Sequence, residues 1–138
     1  RRLLDDVTVE MLPYRGIEHL FEMYSQADVV ISPRFLDNSY NLGHTEWKIT
    51  LGMACGCLAI ASPVPSYQTV FDRSSDGEIM ICSTSADWVA AFDALLVGGI
   101  SKETRKLSTQ LVDQYYSSEV LAKDHCRVVG QQFVDPSH

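Results

Sequence analysis

A run of residues that could bind an anion occupies positions 41–48, where the sequence reads NLGHTEWK. His44 and Lys48 can carry positive charge, and Thr45 adds a hydroxyl group. If a helix begins at Thr45, its first backbone N–H groups and its dipole also attract negative charge. Together these groups could hold a diphosphate. The alternative is that Thr45 only caps the helix, while His44 and Lys48 are solvated.

Short β-branched runs alternate with helical patterns along the chain, which indicates an α/β protein built on a parallel sheet. We predict strands at residues 7–12, 28–32, 57–61 and 78–82. The run at 28–32 is continuously apolar, so we expect it to be buried on both faces. A doubly wound sheet usually has more strands than four. We therefore expect a first βα unit upstream of Arg1, and a chain that is a fragment.

The helical patterns lie between these strands and after the last one. Ile17, Leu20, Phe21 and Tyr24 share one face of a predicted helix. Residues 34–44 are aperiodic and predict a long loop, after which Thr45 caps a helix that Gly56 ends. We predict four more helices, at 64–72, from Ser83 or Ser85 to Gly98, at 101–116, and from Ser117 or Ser118 to residue 131.

Composition excludes several classes of partner. The 138 residues carry a net charge of −7, which argues against nucleic acid and against anionic lipid surfaces. No apolar run is long enough for a membrane span. The four cysteines favour buried, reduced thiols, and Cys55-x-Cys57 without a second pair is weak support for zinc, so we predict no metal. We expect a cytoplasmic protein, or one peripheral to the inner face of the membrane in its full-length form.

Ligands of parallel α/β sheets bind at the carboxyl ends of the strands. That rule selects residues 13–16, 33–45, 62–67 and 83–85, of which the second segment is the longest. The sequence contains no Walker phosphate loop, no G-x-G-x-x-G motif and no G-x-S-x-G motif. The strand at 28–32 ends in Ser-Pro and not in the aspartate that a receiver domain needs.

Residues 27–67 resemble the retaining glycosyltransferases of family 4, which have the two-domain GT-B fold. ADVVISP at 27–33 is similar to the family's strand pattern A-D-V-x-[IV]-x-P. GMACGCLAIAS at 52–62 is similar to its E-x-M-A-x-G helix followed by a P-V-[IV]-A-[ST] strand, and Val64-Pro65 and Val70 follow in order. The similarity in pattern and spacing extends over about 100 residues, to roughly Tyr116.

This resemblance implies the C-terminal, donor-binding half of the enzyme. Residues 1–133 would form a Rossmann-like doubly wound sheet with extra C-terminal helices, and residues 134–138 a tail. The full-length protein would transfer a sugar from a nucleotide-diphosphate sugar to an acceptor, with retained configuration and without a metal or other cofactor. Its partner would be the N-terminal acceptor-binding domain of the same chain. The C-terminal helices would contact that domain or form a homodimer.

The resemblance also implies donor-contacting residues. Those expected to contact the base are Leu12, Pro13 and Tyr14. Those expected at the diphosphate and sugar are Asn41, Leu42, Gly43, His44, Thr45, Glu46 and Lys48. The two carboxylates of the family's E-x7-E motif are replaced by Gly43 and Leu51, which leaves Glu46 as a weak catalytic candidate. A non-catalytic nucleotide-sugar-binding or scaffold domain, and a GT-B sugar-nucleotide epimerase, therefore remain alternatives.

Overall fold

A computed structural model describes residues 8–75 and 77–132 of the chain. Helices and strands alternate over the first two thirds, and three helices follow. The predicted tail at 134–138 lies outside the described residues. The elements are α1 (Ile17–Ser25), β1 (Val29–Ser32), α2 (Ser39–Leu42), α3 (Trp47–Ala54), β2 (Leu58–Ala61), α4 (Pro65–Arg73), β3 (Ile79–Ile81), α5 (Ser85–Gly98), α6 (Lys102–Tyr116) and α7 (Ser118–Gln132).

The three strands of the described residues form one parallel sheet in the order β1-β2-β3, which confirms the α/β class. Alternate strand residues point to opposite faces of a sheet. One face, which includes Val30 and Ala59, packs on α3, α4 and α6. The other, which includes Leu58 and Ile60, packs on α5. The sheet is thus covered by helices on both sides.

The burial of each strand follows its position in this sheet. All four residues of the central strand β2 are buried, as predicted for 57–61. The edge strand β1 was predicted to be buried on both faces, and that prediction is wrong because Ile31 is 51% exposed. Ile31 lies on the α5 side of the sheet. The apolar cluster on that side centres on β2, β3 and α5, which leaves the outer part of β1 open.

The predicted strand at 7–12 is wrong for the residues that the structure describes. Residues 8–12 form no strand, and Val9 and Met11 are exposed. An alternating apolar pattern becomes a strand only when a neighbour pairs with it. No described strand pairs with this segment. The described part of the chain therefore contains three of the four predicted strands.

The starts of α2 and α5 differ from the predictions. Residues 34–44 are not all loop, because the Asn38 side chain accepts a hydrogen bond from the Asn41 amide and starts the single turn α2. Thr84 caps α5, and not Ser83 or Ser85, since its hydroxyl and the Asp87 carboxylate form a reciprocal capping box. The helix boundaries at 17–25, 65–73, 102–116 and 118–132 agree with the predictions.

Gly56 ends α3 as predicted, with a positive φ of 85° that favours glycine. The Cys57 amide donates to the Gly52 carbonyl at 3.0 Å, and the Gly56 amide to the Met53 carbonyl at 2.9 Å. These two bonds form a Schellman motif. The chain thereby turns directly from α3 into the buried strand β2.

Gly52 allows α3 to lie close against the sheet. A Cβ atom at this position would lie 2.8 Å from Cβ and from Cγ1 of Val30 in β1. Atoms this close clash, so any larger residue would push α3 away from the sheet. The contact fixes α3 against β1 and sets the position of the first turn of α3.

We expect Gly52→Ala to lower the free energy of unfolding by about 1–3 kcal/mol, because it overpacks the contact with Val30. Gly98→Ala is the matched control. A Cβ there meets nothing within 4 Å, so this change should stabilise the protein by about 0.5 kcal/mol. Urea denaturation of both variants measures the difference. Equal stabilities would contradict the close packing of α3 on β1.

Candidate functional site

Buried hydrogen bonds join the carboxyl ends of the first two strands. The Ser32 and Tyr67 hydroxyls, both in buried residues, are 2.8 Å apart, which links β1 to α4. The Ser62 hydroxyl accepts from the Arg34 amide at 2.8 Å. The Ser62 amide donates to the Ser32 carbonyl at 3.2 Å. These bonds fix the start of the 33–45 segment relative to the end of β2.

A cleft of about 380 Å³ opens at this edge of the sheet, where ligands of parallel α/β sheets bind. Its lining comes from three of the four segments that the carboxyl-end rule selects, with one aromatic residue added from α5. The capping box of α5 holds one wall in place. The lining residues are Pro33, Arg34, Phe35, Ser62, Ser83, Thr84, Ser85 and Trp88.

Arg34, which lines this cleft, and Lys48 each lie close enough to His44 for their charges to act on it, and we call these three basic side chains the basic cluster. Desolvation, and then the charges of Arg34 and Lys48, hold the pKa of His44 below its ordinary value. Nε of Arg34 and Nε2 of His44 are shielded from solvent and have no hydrogen-bond partner among the described residues. Buried polar atoms are normally paired, so an anion in the basic cluster would satisfy both nitrogens.

The start of α3 lies within the basic cluster. Thr45 was predicted to cap this helix, and that prediction is wrong. The N-cap residue is Glu46, whose backbone already has helical dihedral angles. No side chain forms a capping hydrogen bond at this end of the helix. The helix starts one residue later than expected because α2 and Gly43 place a turn directly before it. Its first amide groups are therefore free of side-chain acceptors.

The structure places the other predicted donor residues in three locations. Asn41 and Leu42 belong to α2, and Gly43 ends it, three to five residues before Glu46. Leu12 lines a different groove, beside β1, that shares no lining residue with the cleft. Pro13 and Tyr14 are exposed and line none of the described cavities.

Glu46, the weak catalytic candidate, does not line the cleft. Its side chain lines a separate cavity with Arg73 and Tyr116, which shares no lining residue with the cleft. Leu51 and Gly43, which replace the family's two carboxylates, contribute no charge. The described part of the site therefore consists of cations, hydroxyls and backbone amides.

Sequence reasoning missed two residues of this site as individual candidates. Arg34 follows directly after β1 and its Ser-Pro end, a position that could have drawn attention to it. Trp88 lies one turn into α5, and it reaches the cleft only because the capping box of Thr84 and Asp87 orients that helix. No sequence pattern indicated that the side chain of Trp88 would point towards this edge.

Comparison with protein-family models, curated proteins and solved structures gave no significant match. Within residues 8–75 and 77–132, no group of three or more His, Cys, Asp or Glu side chains is arranged to hold a metal ion. No helix in the same part of the chain has the length and apolar character to cross a membrane. Cys57 is buried, which raises the pKa of its thiol to about 11.

We expect the pKa of His44 to rise in Arg34→Gln and in Lys48→Gln, because each change removes a positive charge that disfavours the imidazolium. The larger rise should come from Arg34→Gln. NMR titration of the imidazole resonances measures both values. Lys106→Gln removes an exposed cation of α6 and should leave the pKa unchanged. The basic cluster would be contradicted if the pKa of His44 were the same in all three variants as in the unaltered chain.

Proposed function

We propose that this chain is the donor-binding half of a glycosyltransferase and binds a nucleotide-diphosphate sugar at the carboxyl edge of its sheet. The observation that carries the proposal is the convergence of Arg34, His44 and Lys48 at the uncapped start of α3. Two shielded nitrogens without partners lie in this basic cluster. A diphosphate supplies the acceptors and the negative charge that the basic cluster lacks.

The topology of the sheet supports the same proposal. Three parallel strands in sequential order, covered by helices on both faces, are the arrangement that one half of a Rossmann-like doubly wound sheet would have. In the complete fold the strand order reverses beside the first strand of such a half. We assign that position to the outer edge of β1. Ligands of doubly wound sheets bind at this reversal, and Pro33, Arg34 and Phe35 follow directly after β1.

The absence of the family's two carboxylates restricts what the site can contribute. A Cβ added to Gly43 would lie 3.2 Å from the Ser39 carbonyl oxygen, so a glutamate could enter only if α2 shifted. Position 43 thus offers the donor sugar no carboxylate. In the proposed enzyme, the basic cluster stabilises the negative charge that develops on the leaving diphosphate. The acceptor and its activating group would come from the N-terminal domain.

We expect nucleoside diphosphates to bind, and Arg34→Gln and Lys48→Gln each to weaken binding by at least about tenfold, because each removes a charge-assisted contact with phosphate. Calorimetry at fixed salt concentration measures the affinities. Lys123→Gln, which removes an exposed cation of α7 paired with Glu119, serves as the control. The proposal fails if no nucleoside diphosphate binds, or if all three variants bind as the unaltered chain does.

His44 provides a second readout of the same ligand. A bound diphosphate stabilises the imidazolium, so the pKa of His44 should rise when the ligand is added. An unchanged His44 pKa at saturating ligand would place the ligand elsewhere.

The alternatives differ in turnover. We expect the isolated chain to bind a nucleotide-diphosphate sugar and to leave it unchanged, since the acceptor-binding domain is absent. An epimerase would interconvert the donor without any acceptor, a scaffold would not bind it, and a non-catalytic nucleotide-sugar-binding domain would bind it without turnover even in the full-length protein. Chromatography after incubation with a panel of such donors identifies an epimerase, and calorimetry identifies a scaffold. Sugar transfer by this chain alone would contradict the half-enzyme proposal.

A further inference from the structure

A second cavity, of about 320 Å³, lies between α3, α4, α6 and α7 and shares no lining residue with the cleft. We call it the helical cavity. It is bounded by Glu46 at the start of α3, Thr69 and Arg73 on α4, Tyr116 at the end of α6, and Leu121 and Asp124 on α7. Its volume is at the lower end of the range for small-molecule sites, about 300–1,000 Å³, which suits a small ligand.

The helical cavity contains one polar group that the fold satisfies poorly. The Tyr116 hydroxyl is shielded from solvent and makes no hydrogen bond of ordinary geometry among the described residues; burial raises its pKa, which the neighbouring Arg73 guanidinium only partly offsets. The Arg73 guanidinium carbon lies 5.1 Å from the ring centres of both Tyr115 and Tyr116. No ion pair of the described chain involves Arg73 or Glu46. A shielded hydroxyl without a well-formed hydrogen bond is costly, and a ligand in this cavity would satisfy it.

The charges of the helical cavity determine the chemistry of that ligand. Glu46 and Asp124 accept hydrogen bonds, while Arg73 donates them, and Asp124 is already paired with Arg127 at 3.4 Å. An anion would meet two carboxylates, and a cation would meet the guanidinium. A neutral polyol avoids both repulsions, because each hydroxyl donates and accepts. The side chains of Leu121 and Tyr115 add apolar surface for the face of a ring.

We propose that the helical cavity binds a neutral, ring-shaped polyol of the size of one monosaccharide. The site is separate from the basic cluster and does not depend on the proposed function of the cleft. The two are connected through one turn, since Ser66 lines the helical cavity and donates a 2.5 Å hydrogen bond to the His44 carbonyl. A ligand in the helical cavity would therefore stabilise the turn that carries His44.

The test is an NMR titration of the 138-residue chain with glucose, galactose, mannose and N-acetylglucosamine. At least one of these sugars should cause saturable shifts in the amide signals of Thr69, Arg73 and Tyr116. Sodium phosphate, which is charged, and glycerol, which has no ring, should cause no saturable shifts at these amides. The proposal is wrong if no sugar gives a saturable response at these amides, or if phosphate binds there more tightly than every sugar.

Two variants assign the response to the helical cavity. Tyr116→Phe removes one hydroxyl and Asp124→Asn one charge, and each should weaken sugar binding about five- to tenfold, the first through a lost hydrogen bond and the second because a neutral amide oxygen accepts more weakly than a carboxylate. Asp124 lies on the exposed helix α7, so its variant should fold even if the Tyr116 variant is destabilised. Lys106→Gln, outside the helical cavity, should bind as the unaltered chain does. Equal sugar affinity in all three variants would overturn the assignment.

Discussion

The close contact between Gly52 and Val30 is the constraint on which the arrangement of this protein depends. Because position 52 has no side chain, α3 lies directly on β1. The buried side chains of Ile49 and Met53, before and after Gly52 in the helix, pack against the same face of the sheet. The start of the helix then lies near the carboxyl ends of the strands. A bulkier residue would move the whole helix and, with it, the backbone amides and the lysine of its first turn.

A second set of interactions aligns the strand ends with the loops that follow them. Ser32, Ser62 and Tyr67 are buried, and their polar atoms satisfy one another or a neighbouring backbone group. The apolar core positions helices on the sheet, but it is indifferent to small slides along the strands. Directional hydrogen bonds remove that freedom. The packed core and the polar strand ends thus have different roles in shaping the cleft.

Much of the fold follows from local sequence. The apolar run at 58–61, the helical spacing from Ile17 to Tyr24 and the glycine at 56 each require only their own neighbourhood to specify a structure. The exposure of Ile31 and the absence of a strand at 8–12 depend on which segments lie next to them. Such pairing is a property of the whole sheet, and no local pattern encodes it.

The candidate site was predictable only in outline. The rule for parallel sheets selected three of the segments that line the cleft. It could not indicate that the charge of Arg34 would act on His44, ten positions later, since the single turn α2 between them was not predicted. Nor could it separate Glu46 from the basic cluster, because the two sides of a helix start become distinct only once neighbouring helices are packed.

The order of the strands also has a consequence for how the chain folds. The pairs Val29–Leu58 and Ala59–Ile79 join residues 29 and 20 positions apart, the first across α2 and α3 and the second across α4. Neither pair can form as a hairpin, and formation of α3 and α4 would shorten the chain that each crossover has to close. Loop-closure entropy then opposes the first productive encounter. The folding nucleus should therefore consist of β2 with α3, and chain collapse should precede sheet formation.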